Sequence, residues 1–132
     1  MVVVDTAVWV DFFRGRNEPV RAVLRELIRG RQAVLTGIVL AEVLQGIRTQ
    51  QEADSVRSEF AALHYYEAAR DTWSRAGSLS GELRRKGLTI PLTDLIISVL
   101  AMEHDAEVFT TDPHFEKIPG LKLYRPKQTR QN

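Results

Sequence analysis

Val2, Val3 and Val4 form a β-branched run with no polar alternation, the pattern of a strand covered on both faces in a parallel sheet. Asp5 and Thr6 end it, and residues 7–13 then carry Val8, Trp9, Phe12 and Phe13 at helical spacing. A strand that feeds straight into a helix opens a βαβ unit. Arg14-Gly15-Arg16 breaks the pattern. Asn17 reads as an N-cap with Glu18 and Pro19 in the first turn, and Val20, Val23, Leu24, Leu27 and Ile28 then share one face until Gly30 stops the helix. Residues 33–35 read as a second strand, and residues 37–45 as a helix with Gly46 near its end.

Residues 50–62 form a polar-rich amphipathic pattern with Val56, Phe60 and Leu63 on one side. Residues 63–65 read as a short strand. A long helix follows over residues 67–86, ending at Gly87. Ile90 precedes Pro91 and so favours extended backbone, after which Thr93 is placed as the cap of a helix over 94–104. The apolar run from Leu95 to Met102 predicts a buried helix, too short to span a membrane. Residues 108–110 predict another strand, residues 121–124 an alternating edge strand, and residues 126–132 a polar tail. Helix and strand alternate without repeats or a linker. The expected fold is an α/β, three-layer α/β/α sandwich around a short, mostly parallel sheet, in one domain over 1–125.

Composition narrows the chemistry. The 132 residues hold 18 Lys and Arg against 17 Asp and Glu, so net charge is +1. That length suffices for a core without staples. The chain has no cysteine, which excludes a thiol nucleophile, a disulfide frame and sulfur-ligated zinc, and fits a reducing compartment. The N-terminus lacks the basic start and apolar stretch of a secretory signal, so the expected location is the cytoplasm. Near-neutral charge removes the simplest argument for nucleic-acid binding. A nucleic-acid partner would have to be held by local charge.

Ligands in open parallel sheets bind beyond the carboxyl ends of the strands. Asp5 and Asp112 each follow a predicted strand there. Asp94 opens a very apolar helix, and Glu42 interrupts the apolar stretch 38–44. Each has a plain structural role as well: turn residue for Asp5 and Asp112, helix-dipole partner for Asp94, polar stripe for Glu42. Brought together, four carboxylates would repel one another unless cations neutralised them. Oxygen-only ligands suit Mg²⁺ or Mn²⁺, and a pair of such ions roughly 3.5–4 Å apart supports in-line phosphodiester hydrolysis without a side-chain nucleophile.

The remaining polar residues are less decided. His64 is placed at a strand border and His104 at a helix end, whereas His114, two residues past Asp112, is expected at the rim of the acidic site. Thr6 and Thr110 can orient neighbouring acids or serve as ordinary caps. Arginines from 14 to 31, the cluster Arg84-Arg85-Lys86, and Lys117, Lys122, Arg125, Lys127 and Arg130 are local basic surpluses able to hold phosphates. Arg14 and Arg16 lead them because they follow the helix that begins at Asp5. Trp9, Phe12 and Phe13 are expected to be buried against a partner, and Trp73 to pack between helices.

The stretch 2–9, an apolar strand ending in Asp5-Thr6, resembles the opening of a PIN domain. Leu40-Ala41-Glu42-Val43-Leu44-Gln45-Gly46 is similar to its second acidic motif, Thr93-Asp94-Leu95-Ile96-Ile97 to its third, and Thr110-Thr111-Asp112 with Phe115 to its fourth. Order and spacing resemble the VapC toxin type from residue 2 to about 124. The resemblance implies a Mg²⁺- or Mn²⁺-dependent endoribonuclease, the toxin of a type II toxin–antitoxin pair. It implies that Asp5, Glu42, Asp94 and Asp112 are the catalytic and metal-binding acids, with Thr110 and Thr6 in support. Arg14, Arg16 and His114 then become candidate RNA contacts. It also implies a homodimer and a cognate antitoxin laid over the acidic site, with DNA engaged only through the antitoxin. One departure stands out: family members often carry an acid where this chain has His114.

Other readings compete. An RNA-processing nuclease outside a toxin system, or a module acting mainly through an antitoxin–DNA complex, would use the same fold. An aspartyl-phosphate phosphatase would want an acid two positions after Asp5, where Ala7 stands, and a receiver domain would want an acid beside Asp5.

Overall fold

The computed structural model describes residues 1–126; Lys127, Arg130 and the rest of the expected tail beyond Pro126 lie outside it. Strand β1 (Val2–Val4) runs into helix α1 (Thr6–Arg14), then α2 (Glu18–Arg29), β2 (Ala33–Thr36), α3 (Gly37–Gln45), α4 (Gln50–Ala61), β3 (His64–Tyr66), α5 (Arg70–Arg85), α6 (Leu92–Glu103) and β4 (Glu107–Phe109). The four strands lie in the order β3-β2-β1-β4, all parallel. Val2, Val3 and Val4 are all buried, so helices cover both faces, as the unbroken valine run requires. The main core joins these valines to Val8, Trp9, Leu24, Leu95 and Ile97. No helix among the described residues is long and apolar enough to cross a membrane.

Chain order explains where the site lies. The chain passes from β1 outward through β2 to β3, then crosses to the opposite side of β1 to lay down β4. The crevice beyond the carboxyl ends of β1 and β4 is therefore the point at which the winding direction reverses, the usual ligand position in open parallel sheets.

Several boundaries differ from the pattern-based expectation. Helix α6 starts at Leu92 and not after Thr93, because the Pro91 carbonyl already accepts from the Asp94 and Leu95 N–H groups at 3.0 and 3.2 Å. Thr93 thus sits inside the first turn. Helix α5 starts at Arg70 and not at 67: the Ala69 N–H donates to the Thr72 hydroxyl at 3.1 Å and fixes the start there. Asn17 does cap α2, but through left-handed backbone with no side-chain bond. Gly30 ends α2 with ordinary backbone, while Arg31 takes the left-handed turn (φ 56°) that closes it.

The expected edge strand over 121–124 is reduced to one bridge, Val108 with Leu123. Only Val108 directs its backbone to that side, its N–H to Lys122 O at 2.9 Å and its carbonyl accepting from Tyr124 N–H at 2.8 Å. Glu107 and Phe109 bond toward β1, so a three-residue strand has one residue left for an outer neighbour.

The tryptophans reverse their expected roles. Trp9 is fully buried in the chain's own core, with Phe12, Phe13 and Phe60 rings 5.0–5.8 Å away, and is not kept for a partner. Trp73 is 49% exposed on α5 instead of packed between helices.

Candidate active site

Asp5 leaves the end of β1 with its N–H bonded to the Phe109 carbonyl of β4 at 2.9 Å. It N-caps α1, its Oδ1 accepting from the Thr6 N–H at 2.8 Å. Its other oxygen accepts from the Thr110 hydroxyl at 2.8 Å, and the same hydroxyl accepts from the Asp112 N–H at 2.9 Å. Thr110 therefore ties the acid after β1 to the acid after β4. The Thr6 hydroxyl donates to Glu42 Oε1 at 2.7 Å, bringing in the acid from α3.

Asp94 enters from the first turn of α6. Asp112 caps the short 3₁₀ turn Pro113–Lys117, where its Oδ1 accepts from the His114 N–H at 2.9 Å. The His114 Nδ1 lies 3.2 Å from that same oxygen. Asp94, Asp112 and His114 each offer a ligand atom, and the three lie within 4.8 Å of one another.

The electrostatics show that the acids converge. Burial pushes the Asp5 carboxyl from 3.8 to about 6; bonds from Thr110 and Thr6 oppose this, while the charges of Glu42 and Asp112 add to it. Asp94 is also raised to about 6, first by burial, then by Asp5, Asp112 and Glu42, with His114 pulling the other way. Acids that raise one another in this manner are a fit for a divalent cation.

Arg14 and Arg16 are exposed and have no ion pair among the described residues. Arg14 lines an open groove with Val10, Phe13, Val43 and Arg48, and none of the four candidate acids lines that groove. Several other expected phosphate contacts are already engaged. Arg21 and Arg25 pair with Glu18, Arg29 with Glu26 at 2.9 Å, Lys122 with Asp105 at 2.6 Å and Arg125 with Glu116 at 3.1 Å. Lys122 and Arg125 have no acid beside them in sequence, but the fold supplies one.

Two positioning residues escaped the sequence reading. Ser98, wholly buried, donates to the Asp94 carbonyl at 2.8 Å and braces the first turn of α6. A lone serine one turn after Asp94 in an apolar helix was its signal. Thr36, also wholly buried, caps the helix carrying Glu42, its hydroxyl 3.5 Å from the Val39 N–H.

The PIN domain family matches residues 2–121. Over 125 residues the chain is 32% identical to "Ribonuclease VapC19" of Mycobacterium tuberculosis, covering 92% of this chain and 98% of that protein. Among solved structures it is similar to VapBC2 from Rickettsia felis bound to a promoter DNA fragment, with TM-score 0.79 and 25% identity over 94% of this chain and 98% of that one. The sarcin-ricin loop cleaving toxin VapC20 of Mycobacterium tuberculosis shares the fold at TM-score 0.70, with 13% identity over 96% of this chain and 100% of that one.

Proposed function

The chain belongs to the PIN domain family, and on that footing we propose that it is a divalent-metal-dependent endoribonuclease, the toxin of a type II toxin–antitoxin pair. The observation that carries the reading is the Thr110 hydroxyl. It joins Asp5 to the Asp112 backbone and so ties together the two acids that follow the carboxyl ends of β1 and β4. The 32% likeness to a VapC ribonuclease supports the same activity.

Asp5, Glu42, Asp94 and Asp112 would hold the ion, Mg²⁺ or Mn²⁺. When bound, the ion supplies Lewis-acid stabilisation of charge developing on the phosphodiester. The protein's own share is placement. Thr110 fixes the rotamer of Asp5, Thr6 fixes Glu42, and the 3₁₀ turn fixes Asp112. Arg14 and Arg16 hold RNA phosphates beside the acids, offsetting the repulsion that the carboxylates present to a polyanion.

A cognate antitoxin covers the site, DNA is met only through that antitoxin, and the chain acts as a cytoplasmic homodimer. The relative from Rickettsia felis, a toxin–antitoxin complex on promoter DNA, supports the antitoxin and its DNA link.

The test is RNA cleavage by the wild type, Asp5→Asn and Asp94→Asn across a titration of Mg²⁺ and Mn²⁺. Cleavage should require the ion, stop with EDTA and be lost in both variants. Undiminished cleavage by both variants would overturn the assignment.

A further inference from the structure

We infer that the His114 imidazole is a nitrogen ligand of the divalent ion at this site, and that it tilts the site's preference from Mg²⁺ toward Mn²⁺. The inference rests on the metal reading above and adds to it the identity of a donor and a selectivity. His114 Nδ1 lies 3.2 Å from Asp112 Oδ1. Adjacent ligands of an octahedral ion with bonds near 2.1 Å stand roughly 3 Å apart, so this spacing lets both atoms reach one ion with little movement. Asp94 supplies the third ligand atom within the same 4.8 Å group.

The backbone holds His114 in place. Pro113 opens the 3₁₀ turn with a fixed φ, and the His114 N–H donates to the very carboxylate its ring approaches. The ring cannot turn far without leaving Asp112. His114 is half exposed, at the rim of the site and outside the core. The basic groups that could claim Asp112 or Asp94 make no ion pair with either among the described residues; His114 alone does so, with Asp112.

Chemistry then sets the preference. Mg²⁺ favours oxygen donors and binds imidazole weakly, whereas a nitrogen donor raises affinity along the first-row series that begins at Mn²⁺. An aspartate at this position would add one more hard oxygen and favour Mg²⁺. The chain's other histidines stand elsewhere: His104 ends α6 with Nδ1 2.9 Å from Leu100 O, and His64 begins β3 on the far edge of the sheet.

The test is electron spin echo spectroscopy of the full chain loaded with Mn²⁺, with Mn²⁺ and Mg²⁺ affinities measured by competition. The wild type should show modulation from one directly bonded ¹⁴N, absent in His114→Ala. Mn²⁺ affinity of that variant should fall by about tenfold or more, with Mg²⁺ affinity changed far less. His114→Asp should restore tight binding and reverse the preference in favour of Mg²⁺. Mn²⁺ binding with no nitrogen modulation, or modulation that survives in His114→Ala, overturns the role of His114 and leaves the metal site standing. If Mn²⁺ does not bind the wild type at all, both readings fall.

Discussion

Thr110 and Asp5 stand 105 residues apart in the chain, yet the hydroxyl of one donates to Oδ2 of the other at 2.8 Å. The hydroxyl also receives the Asp112 N–H, so a single oxygen serves two acids. Thr110→Val keeps the shape and removes both bonds. Metal affinity or cleavage rate should fall by about 10–100-fold, the usual cost of losing a partner that orients a ligand. Thr110→Ser should stay within a few-fold of wild type. Steady-state cleavage of the same RNA with all three proteins checks this.

The buried carboxyl of Asp5 makes stability depend on pH in a particular direction. Its folded value near 6 exceeds the ordinary 3.8, so between those values the folded chain holds the proton more firmly than the unfolded one. The stabilisation is complete below about pH 4 and lost as pH rises through about 6. Asn caps a helix as well as Asp does. Asp5→Asn should therefore stabilise the metal-free protein by about 1–3 kcal/mol near pH 7.5, and by little near pH 4. Urea unfolding in EDTA at the two pH values measures it; equal effects at both would contradict the burial argument.

Metal binding should carry the same signature. Asp5 and Asp94 must both give up protons before they can hold a cation. Affinity for Mn²⁺ should therefore climb steeply as pH rises through about 6. Calorimetry in two buffers of different ionisation enthalpy should record proton release below that point and much less of it above pH 7.5 or so.

Arg14 and Arg16 are predicted to hold phosphate and not to take part in bond cleavage. Replacing either by Ala should weaken RNA binding across sequences and reduce the slope of log affinity against log salt by roughly 0.7. The cleavage rate at saturating RNA should change little. An unchanged slope in both variants would remove them from the RNA path.

The two tryptophans give a stability control. Trp9→Ala empties the centre of an aromatic cluster and should cost about 3–5 kcal/mol. Trp73→Ala, at a position 49% exposed, should stay within about 0.5 kcal/mol. Denaturant midpoints of the two variants separate them.

Local signals in the sequence read well where the cause is local. The valine run gave β1, and the stretch from Gly37 gave α3 with the observed ends, because burial on both faces and helical spacing are written in neighbouring residues. The positions of the four acids were also visible, three beside a strand end or a helix start and Glu42 as the one acid in an apolar helical stretch. What the sequence hid was partnership across distance. Lys122 finds Asp105 and Arg125 finds Glu116 only once β4 and its outer neighbour fold together. Trp9 and Trp73 look alike as letters, and only the packing of α1 against Phe60 of α4 tells a core ring from a surface one. The edge strand failed for a related reason, since a strand's reach outward depends on how many of its residues face away from its inner partner.

The site's acids are spread along the chain in time as well as in space. A chain emerging during synthesis carries Asp5 and Glu42 early and Asp94 later, but β4 and Thr110 come last. Until they arrive, Asp5 lacks the hydroxyl that orients it, and Asp112 does not yet exist. A nascent or prematurely terminated chain that stops before β4 therefore lacks Thr110, Asp112 and His114. For the ribonuclease toxin proposed above, the layout delays completion of the site until the fold is nearly whole, which gives an antitoxin made alongside it time to be present.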